Sequence, residues 1–297
     1  MEKLTHWQTL WEQLSDIQSQ AFAPKKQDQT KPAVQGQAHG QEEGQPENQS
    51  DDFWEHKAGQ FDKMVEDRWS KPDSSRDFLV RKLRKNPGST LLDIGAGTGK
   101  WSLLASPHAA KVTALDPSPA MQQVLREKIK NKKITNIDIV TGTWPKDTMP
   151  LHDYVLASHS MYGVKEFELF VNKMTATATK GCIMVLRAPF ADAIMAKAAT
   201  RVFGQPYDSP NFQIAYNILL AMDIYPDVIM ETDGSWPGWD HDSFEAALAE
   251  LKNRLALGDN TEHDPFLKDL LKENLTREGD RVVWPAGNLS ALVYWEA

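Results

Sequence analysis

"LLDIGAGTGKW", residues 91–101, sets three glycines behind a short apolar run that carries an acid. The apolar run reads as a buried strand, and the glycines read as a turn leading into a helix. Gly95, Gly97 and Gly99 open backbone conformations closed to other residues and let a ligand approach the main chain closely. The spacing departs from two phosphate-binding loops. In G-x-G-x-x-G the third glycine comes one residue later, and the Walker pattern needs a Ser or Thr after its lysine, where this chain has Trp101. A glycine loop by itself also suits a plain tight turn, so its neighbours must decide its meaning.

Around this stretch, short apolar runs alternate with helical patterns. The runs "TLLDI", "KVTALD", "NIDIV", "DYVLAS" and "CIMVLRA" start at Thr90, Lys111, Asn136, Asp153 and Cys182, and "KWSLLAS", "SPAMQQVLREKIK" and "KEFELFVNKM" read as the helices between them. This alternation predicts βαβ units and an α/β, doubly wound parallel sheet covered on both faces. Ligands in such sheets bind beyond the carboxyl ends of the strands, near the switch point. Asp116 closes the second run, 17 residues past Gly99. An acid there can accept hydrogen bonds from ribose hydroxyls. It can also cap the next helix, with Pro117 in the first turn.

Strand, glycine loop, helix, strand and acid in this order resemble the class I S-adenosylmethionine-dependent methyltransferases, over about residues 88–190. "LLDIGAGTGKW" looks like their first motif and "ALDPSPAM" like their second-strand acid with a loop over the adenine. The closing "RVVWPAGNLSALVYWEA" resembles their final hairpin. The resemblance implies a Rossmann-like, seven-stranded, mostly parallel sheet whose C-terminal strand inserts antiparallel beside the fifth. It implies S-adenosylmethionine as cofactor, with Gly95, Ala96 and Gly97 near its methionine part. Asp93 would lie beneath the loop near the amino group, and Asp116 and Pro117 at the ribose. Many members carry an acid after the third strand, where this chain has "TGTW", so adenine contacts fall to Thr143, Trp144 or the backbone. After the fourth strand Ser158 would line the cofactor, followed by His159, Ser160, Met161 and Tyr162.

The methyl of such a cofactor is already activated, so the protein must align an acceptor, exclude water and, where needed, take a proton. No metal is required. His159 is the candidate base because its ordinary pKa lies near neutrality, with Tyr162 beside it. A histidine past a strand can equally serve a loop or helix cap.

Composition narrows the acceptor. Among 297 residues the net charge is -8, which argues against a broad nucleic-acid footprint and favours a small molecule. The "NPPY"-type strand end of base-directed enzymes is replaced by "SHSMY". Arg81, Lys82, Arg84 and Lys85 form a charge run that reads as a solvated face. Cys182 is the single cysteine, so no intrachain disulfide or cysteine metal cluster forms, which fits a reducing cytoplasm. No membrane span is expected.

The rest of the chain divides into 1–22, 23–50 and 51–297. Residues 1–22 show Leu4, Trp7, Trp11 and Leu14 at helical spacing, an amphipathic helix whose apolar face docks on the chain's own core or on a partner. Residues 23–50, rich in Gln, Gly and Pro, read as a tether. Residues 51–297 form the methyltransferase-like domain. There, Trp54, Ala58, Phe61 and Val65 follow helical spacing, and with Trp69 their aromatics suit either a lid or packing on the sheet. A second helix spans about 73–85. Residues 205–226 read as an inserted helical cap with Tyr207, Phe212 and Tyr216 as lining candidates, or as core packing. "DVIMETDG" follows as the sixth strand. Asp242 with Glu245 has capping-box spacing and Gly258 ends that helix; Asp264 and Pro265 open another. Asp240, His241 and Asp242 are adjacent and so do not converge on a metal. The sequence therefore predicts methyl transfer to a small molecule. Its alternatives are a nicotinamide oxidoreductase, which the glycine spacing disfavours, and a cofactor-fold scaffold without turnover.

Overall fold

The computed structural model describes residues 6–22, 62, 66, 69–70, 72–231, 238–279 and 281–297. The tether and most of the segment expected to be helical over 51–65 lie outside the described residues.

One sheet organises the chain. Strands β1 (Thr90–Ile94), β2 (Lys111–Asp116), β3 (Ile137–Thr141), β4 (His152–Ser158), β5 (Ala178–Pro189), β6 (Asp227–Glu231) and the late strand β10 (Asn288–Glu296) stand in the order β3-β2-β1-β4-β5-β10-β6. β1 to β5 are parallel, and β10 inserts antiparallel to both β5 and β6. The seven-stranded doubly wound arrangement expected from the sequence is therefore present. Neighbouring residues on a strand enter different cores: Leu92, Ile94, Val155, Met184 and Leu186 join one, Leu91, Leu156, Ile183 and Val185 the other. That explains why these strands read as continuous apolar runs rather than as alternation.

Helices cover both faces. α1 (Trp7–Phe22) lays Trp11 and Leu14 into the first core, where the Trp11 ring meets Phe167 at 4.0 Å and its Nε1 donates to Val164 O at 2.8 Å. The N-terminal helix thus docks on the chain's own core. α2 (Ser74–Lys85) is capped by Asp73, which accepts from Ser75 N at 2.8 Å, and it buries Leu79 and Leu83 one turn apart. Lys82, Arg84 and Lys85 occupy its last turn, where positive charge meets the negative end of the helix dipole. α3 (Lys100–Ala105) and α4 (Pro119–Lys132) cover the same face. Ser118, not Asp116, caps α4, and the proline in its first turn is Pro119, not Pro117. The Asp116 carboxylate is engaged by backbone donors on either side of it instead. α5 (Phe167–Thr177) and α7 (Phe212–Ala221) pack with α1 against the first core, and Asn211 caps α7.

A satellite core joins α6 (Ile194–Phe203), α8 (Phe244–Arg254) and α9 (Asp264–Asn274) with a small sheet of β7 (Asp240–His241), β9 (Arg281–Val283) and β8 (Thr276–Glu278). Four local expectations from the sequence are corrected by the structure. The arm of the expected final hairpin that holds Arg281–Val283 pairs with β7 and β8, and β6 is the main-sheet neighbour of β10, so 232–287 separates the two. α8 is capped by Ser243, whose Oγ accepts from Ala246 N, because β7 pairing extends through His241 and leaves Asp242 exposed beside Arg281. It ends at Arg254, four residues before Gly258: Ala256 takes the first left-handed position after it, and Gly258 takes a second one in the same turn. His263 precedes α9, and the Asp264 carboxylate pairs with Lys252 at 2.8 Å instead of capping. No helix among the described residues is long and apolar enough to cross a membrane.

Candidate functional site

The carboxyl ends of β1, β2, β4 and β5 gather around the glycine loop, at the switch between β2-β1 and β4-β5. Gly95 (φ +67°) and Ala96 both donate N–H to Leu115 O, at 2.8 and 3.0 Å, which folds the loop back over the end of β2. A side chain on Gly95 would collide with Cβ of Ser160, whose Oγ donates to Ile94 O at 2.8 Å. A side chain on Gly97 (φ +54°) would meet nothing within 4 Å. The first glycine is therefore needed for packing of the β4 loop, while the second leaves open room above the backbone.

Asp116 connects the loop to the second strand. Its Oδ2 accepts from Gly97 N at 2.8 Å and its Oδ1 from Ser118 N at 2.9 Å. Gln122, buried on α4, donates to Asp116 O at 2.6 Å and shares a hydrogen bond with Thr141, so the ends of β2 and β3 are held together. Pro117 is exposed next to them. Asp93 lies beneath the loop, 2% exposed, accepting from Ser102 Oγ at 2.6 Å. Burial pushes its carboxyl up to about 7, against the Ser102 hydrogen bond and with help from the Asp116 charge.

At the end of β3, Thr143 N donates to Asp147 at 2.6 Å. The Trp144 indole is 5% exposed, packs edge-on against Phe170 and donates to Phe170 O at 3.3 Å. Its ring thus belongs to the core, and the exposed groups at that strand end are Thr141 and Thr143.

Beyond β4, half-buried Ser158 precedes His159, which adopts a left-handed backbone at φ +55°. Non-glycine residues held this way are uncommon and gather at functional sites. His159 N donates to Val185 O at 3.0 Å, and its Nδ1 stands 2.8 Å from the Tyr162 hydroxyl. Tyr162 Oη in turn accepts from Arg187 N at 2.7 Å, and the Arg187 guanidinium lies 4.1 Å from the Tyr162 ring centre. His159 and Tyr162 are thus brought together, with Arg187 of β5 as a third member that pattern reading passed over. Its signal was a charge closing an otherwise apolar strand, "CIMVLRA".

The segment before α2 reaches the loop as well. Asp62 accepts from Thr98 Oγ1 at 2.7 Å and pairs with Lys128 at 2.5 Å; Glu66 pairs with Lys100 at 2.9 Å; Trp69 meets Trp101 edge-on at 5.4 Å. Burial pulls the Asp62 carboxyl upward, but Lys128 and Thr98 outweigh it and hold it below the ordinary carboxylate value. Trp54, Phe61 and Asp67 lie outside the described residues. Tyr207 and Phe212 pack on the first core, with Tyr216 5.6 Å from Phe212. Among the described residues no group of three His, Cys, Asp or Glu is arranged to hold a metal ion.

A family model described as a methyltransferase domain matches residues 53–243. The chain is 27% identical over 133 residues to the "Probable ribosomal RNA small subunit methyltransferase A" of Methanosphaera stadtmanae, covering 45% of this chain and 48% of that protein. It is 27% identical over 104 residues to a demethylmenaquinone methyltransferase of Listeria welshimeri, covering 33% and 44%. The chain thus spans about half the length of the curated relatives it matches. Among solved structures it resembles a magnesium protoporphyrin IX methyltransferase from Synechocystis with bound SAH (13% identity, TM-score 0.50, 83% of this chain and 96% of that one). It also resembles the cyclase SpnF (12% identity, TM-score 0.51, 84% and 94%). Likeness at such identity concerns the fold alone.

Proposed function

The chain belongs to the methyltransferase-domain family, in its class I S-adenosylmethionine-dependent form, and from that premise we propose that it transfers a methyl group to a small-molecule acceptor. The observation that carries the reading is the hydrogen bond from Gly97 N to Asp116, which joins the glycine loop and the β2 acid into one unit with open room above Gly97. That unit fits the cofactor. The glycine backbone would lie along its methionine part, and Asp116 would hold its ribose hydroxyls, with Pro117, Thr143 and Ser158 around them. Trp144, through its place in the core, supports this wall from behind.

The bound cofactor supplies a methyl group that is already activated, so the chain's own work is alignment and exclusion of water. His159 and Tyr162 are the polar pair assigned to the acceptor. Tyr162 Oη accepts from the Arg187 N–H, and we assign its own proton to Nδ1 of His159, the arrangement in which the one oxygen takes one bond and gives one. In the neutral ring that leaves the proton on Nε2. His159 then orients the acceptor as a hydrogen-bond donor; action as a base would need the opposite tautomer.

The small-molecule assignment is supported by the net charge of -8. Calorimetric titration with S-adenosylmethionine, S-adenosylhomocysteine and NAD tests the cofactor reading. Saturable binding of both sulfur compounds, weakened about tenfold or more in Asp116→Ala, is the expected result. Preference for NAD would instead point to an oxidoreductase. Binding of the sulfur compounds with no transfer to any acceptor would point to a scaffold.

A further inference from the structure

Arg187 stands near the carboxyl end of β5 beside the His159–Tyr162 pair, and its side chain is poorly satisfied. Nε is buried with no hydrogen-bond partner, and Nη2 reaches Gln18 Oε1 and Pro210 O only at 3.4 Å each, beyond the usual range for such bonds. No described acid forms an ion pair with it. The neighbouring acids have other engagements: Glu250 holds Arg254 at 2.7 Å, and Asp208 acts on Arg254 as well. Arg254 adds a second positive charge close enough to act on Arg187's surroundings. A half-buried guanidinium held by a tyrosine ring and two long contacts is costly unless an anion completes it.

We propose that Arg187 receives an acidic group of the methyl acceptor, so that the substrate is a small carboxylic acid. The unsatisfied Nε and the loosely held Nη2 form one edge of the guanidinium, the edge on which a carboxylate docks with two parallel hydrogen bonds. The long contacts to Gln18 and Pro210 are the ones such a ligand displaces. Gln18 belongs to α1, so the N-terminal helix becomes a wall of the acceptor site as well as a part of the core. The Tyr162 ring, 4.1 Å away, holds the guanidinium next to the hydroxyl that meets His159.

The inference rests on the methyltransferase reading, and its test separates the two. Acetate, benzoate and phenylacetate are titrated against their matched amides on protein saturated with S-adenosylhomocysteine, using wild type, Arg187→Met and Arg187→Lys. At least one acid should bind roughly tenfold more tightly than its amide to wild type, with the preference lost in Arg187→Met and partly kept in Arg187→Lys. If no acid outbinds its amide, or if Arg187→Met keeps the preference, the assignment is overturned. S-adenosylhomocysteine binding in the same samples reports folding of the variants. Where it persists without acid preference only the Arg187 assignment falls, and where wild type fails to bind it the methyltransferase reading falls too.

Discussion

The hydroxyl of Tyr162 lies 2.8 Å from Nδ1 of His159 and accepts the backbone N–H of Arg187 at 2.7 Å, so one oxygen ties the ends of β4 and β5 together. Tyr162→Phe removes both bonds. Arg187 N–H, left without its acceptor, should cost about 1–3 kcal/mol in urea unfolding. Nitrogen NMR of the ring at pH 8 should find His159 protonated on Nε2 in wild type and a mixture of tautomers in the variant. Protonation on Nδ1 in wild type would reverse the donor assignment and restore His159 as a base.

Gly95 and Gly97 separate stability from ligand binding. Gly95→Ala drives a methyl group into Ser160 in addition to straining a positive φ, and should lose about 2–5 kcal/mol. Gly97→Ala meets only open space, so its folding cost is the backbone strain of about 1–2 kcal/mol. Its methyl group fills the room proposed for the cofactor, and S-adenosylhomocysteine affinity should fall more than in Gly95→Ala. Equal affinity losses in the two variants would remove the distinction.

Asp93 couples the loop to pH. Its folded value, about 7, stands above the ordinary 3.8, so the folded chain holds a proton that the unfolded chain releases between those values. Stability from this group is therefore complete below about pH 4 and declines as pH rises to about 7. Asp93→Asn keeps an oxygen for Ser102 without the buried charge. Its melting temperature should exceed that of wild type at pH 8, by an amount reflecting up to roughly 4 kcal/mol, and should converge with it near pH 4. A constant offset across that range would show that Asp93 ionises normally.

The sheet was legible because buried parallel strands write themselves as uninterrupted apolar runs, and "KVTALD" begins and ends where β2 does. The Gly95–Ser160 contact was not, since it depends on how the loop after β4 meets the loop after β1 across 65 residues of chain. Cap positions slipped by a residue where tertiary pairing competed with local rules: β7 pairing moved the α8 cap from Asp242 to Ser243, and Lys252 drew Asp264 into an ion pair. Trp144 stood with Thr143 and the backbone as a source of adenine contacts because it follows a strand end; that its ring packs with Phe170 and Lys173 of α5 depends on a helix more than 20 residues further along the chain. Arg187 shows the opposite case, a residue that reads as the polar fringe of a strand until Tyr162 and α1 are placed around it.

Trp11 is fully buried, packs at a tilt against Phe167 of α5 and donates its ring N–H to Val164 O, more than 150 residues away in sequence. A helix that only recruited a partner would keep such a face exposed and could be cut back without loss. Trp11→Ala should instead lower stability by about 3–5 kcal/mol, the range for emptying a large aromatic site. Cys182 supplies the readout: it is fully buried on β5, and burial pushes its thiol up to about 12, so it should resist thiol reagents in the folded chain. Labelling of Cys182 should then appear at a lower urea concentration in Trp11→Ala than in wild type. Unchanged labelling would mean that α1 packs on the core without contributing to its stability.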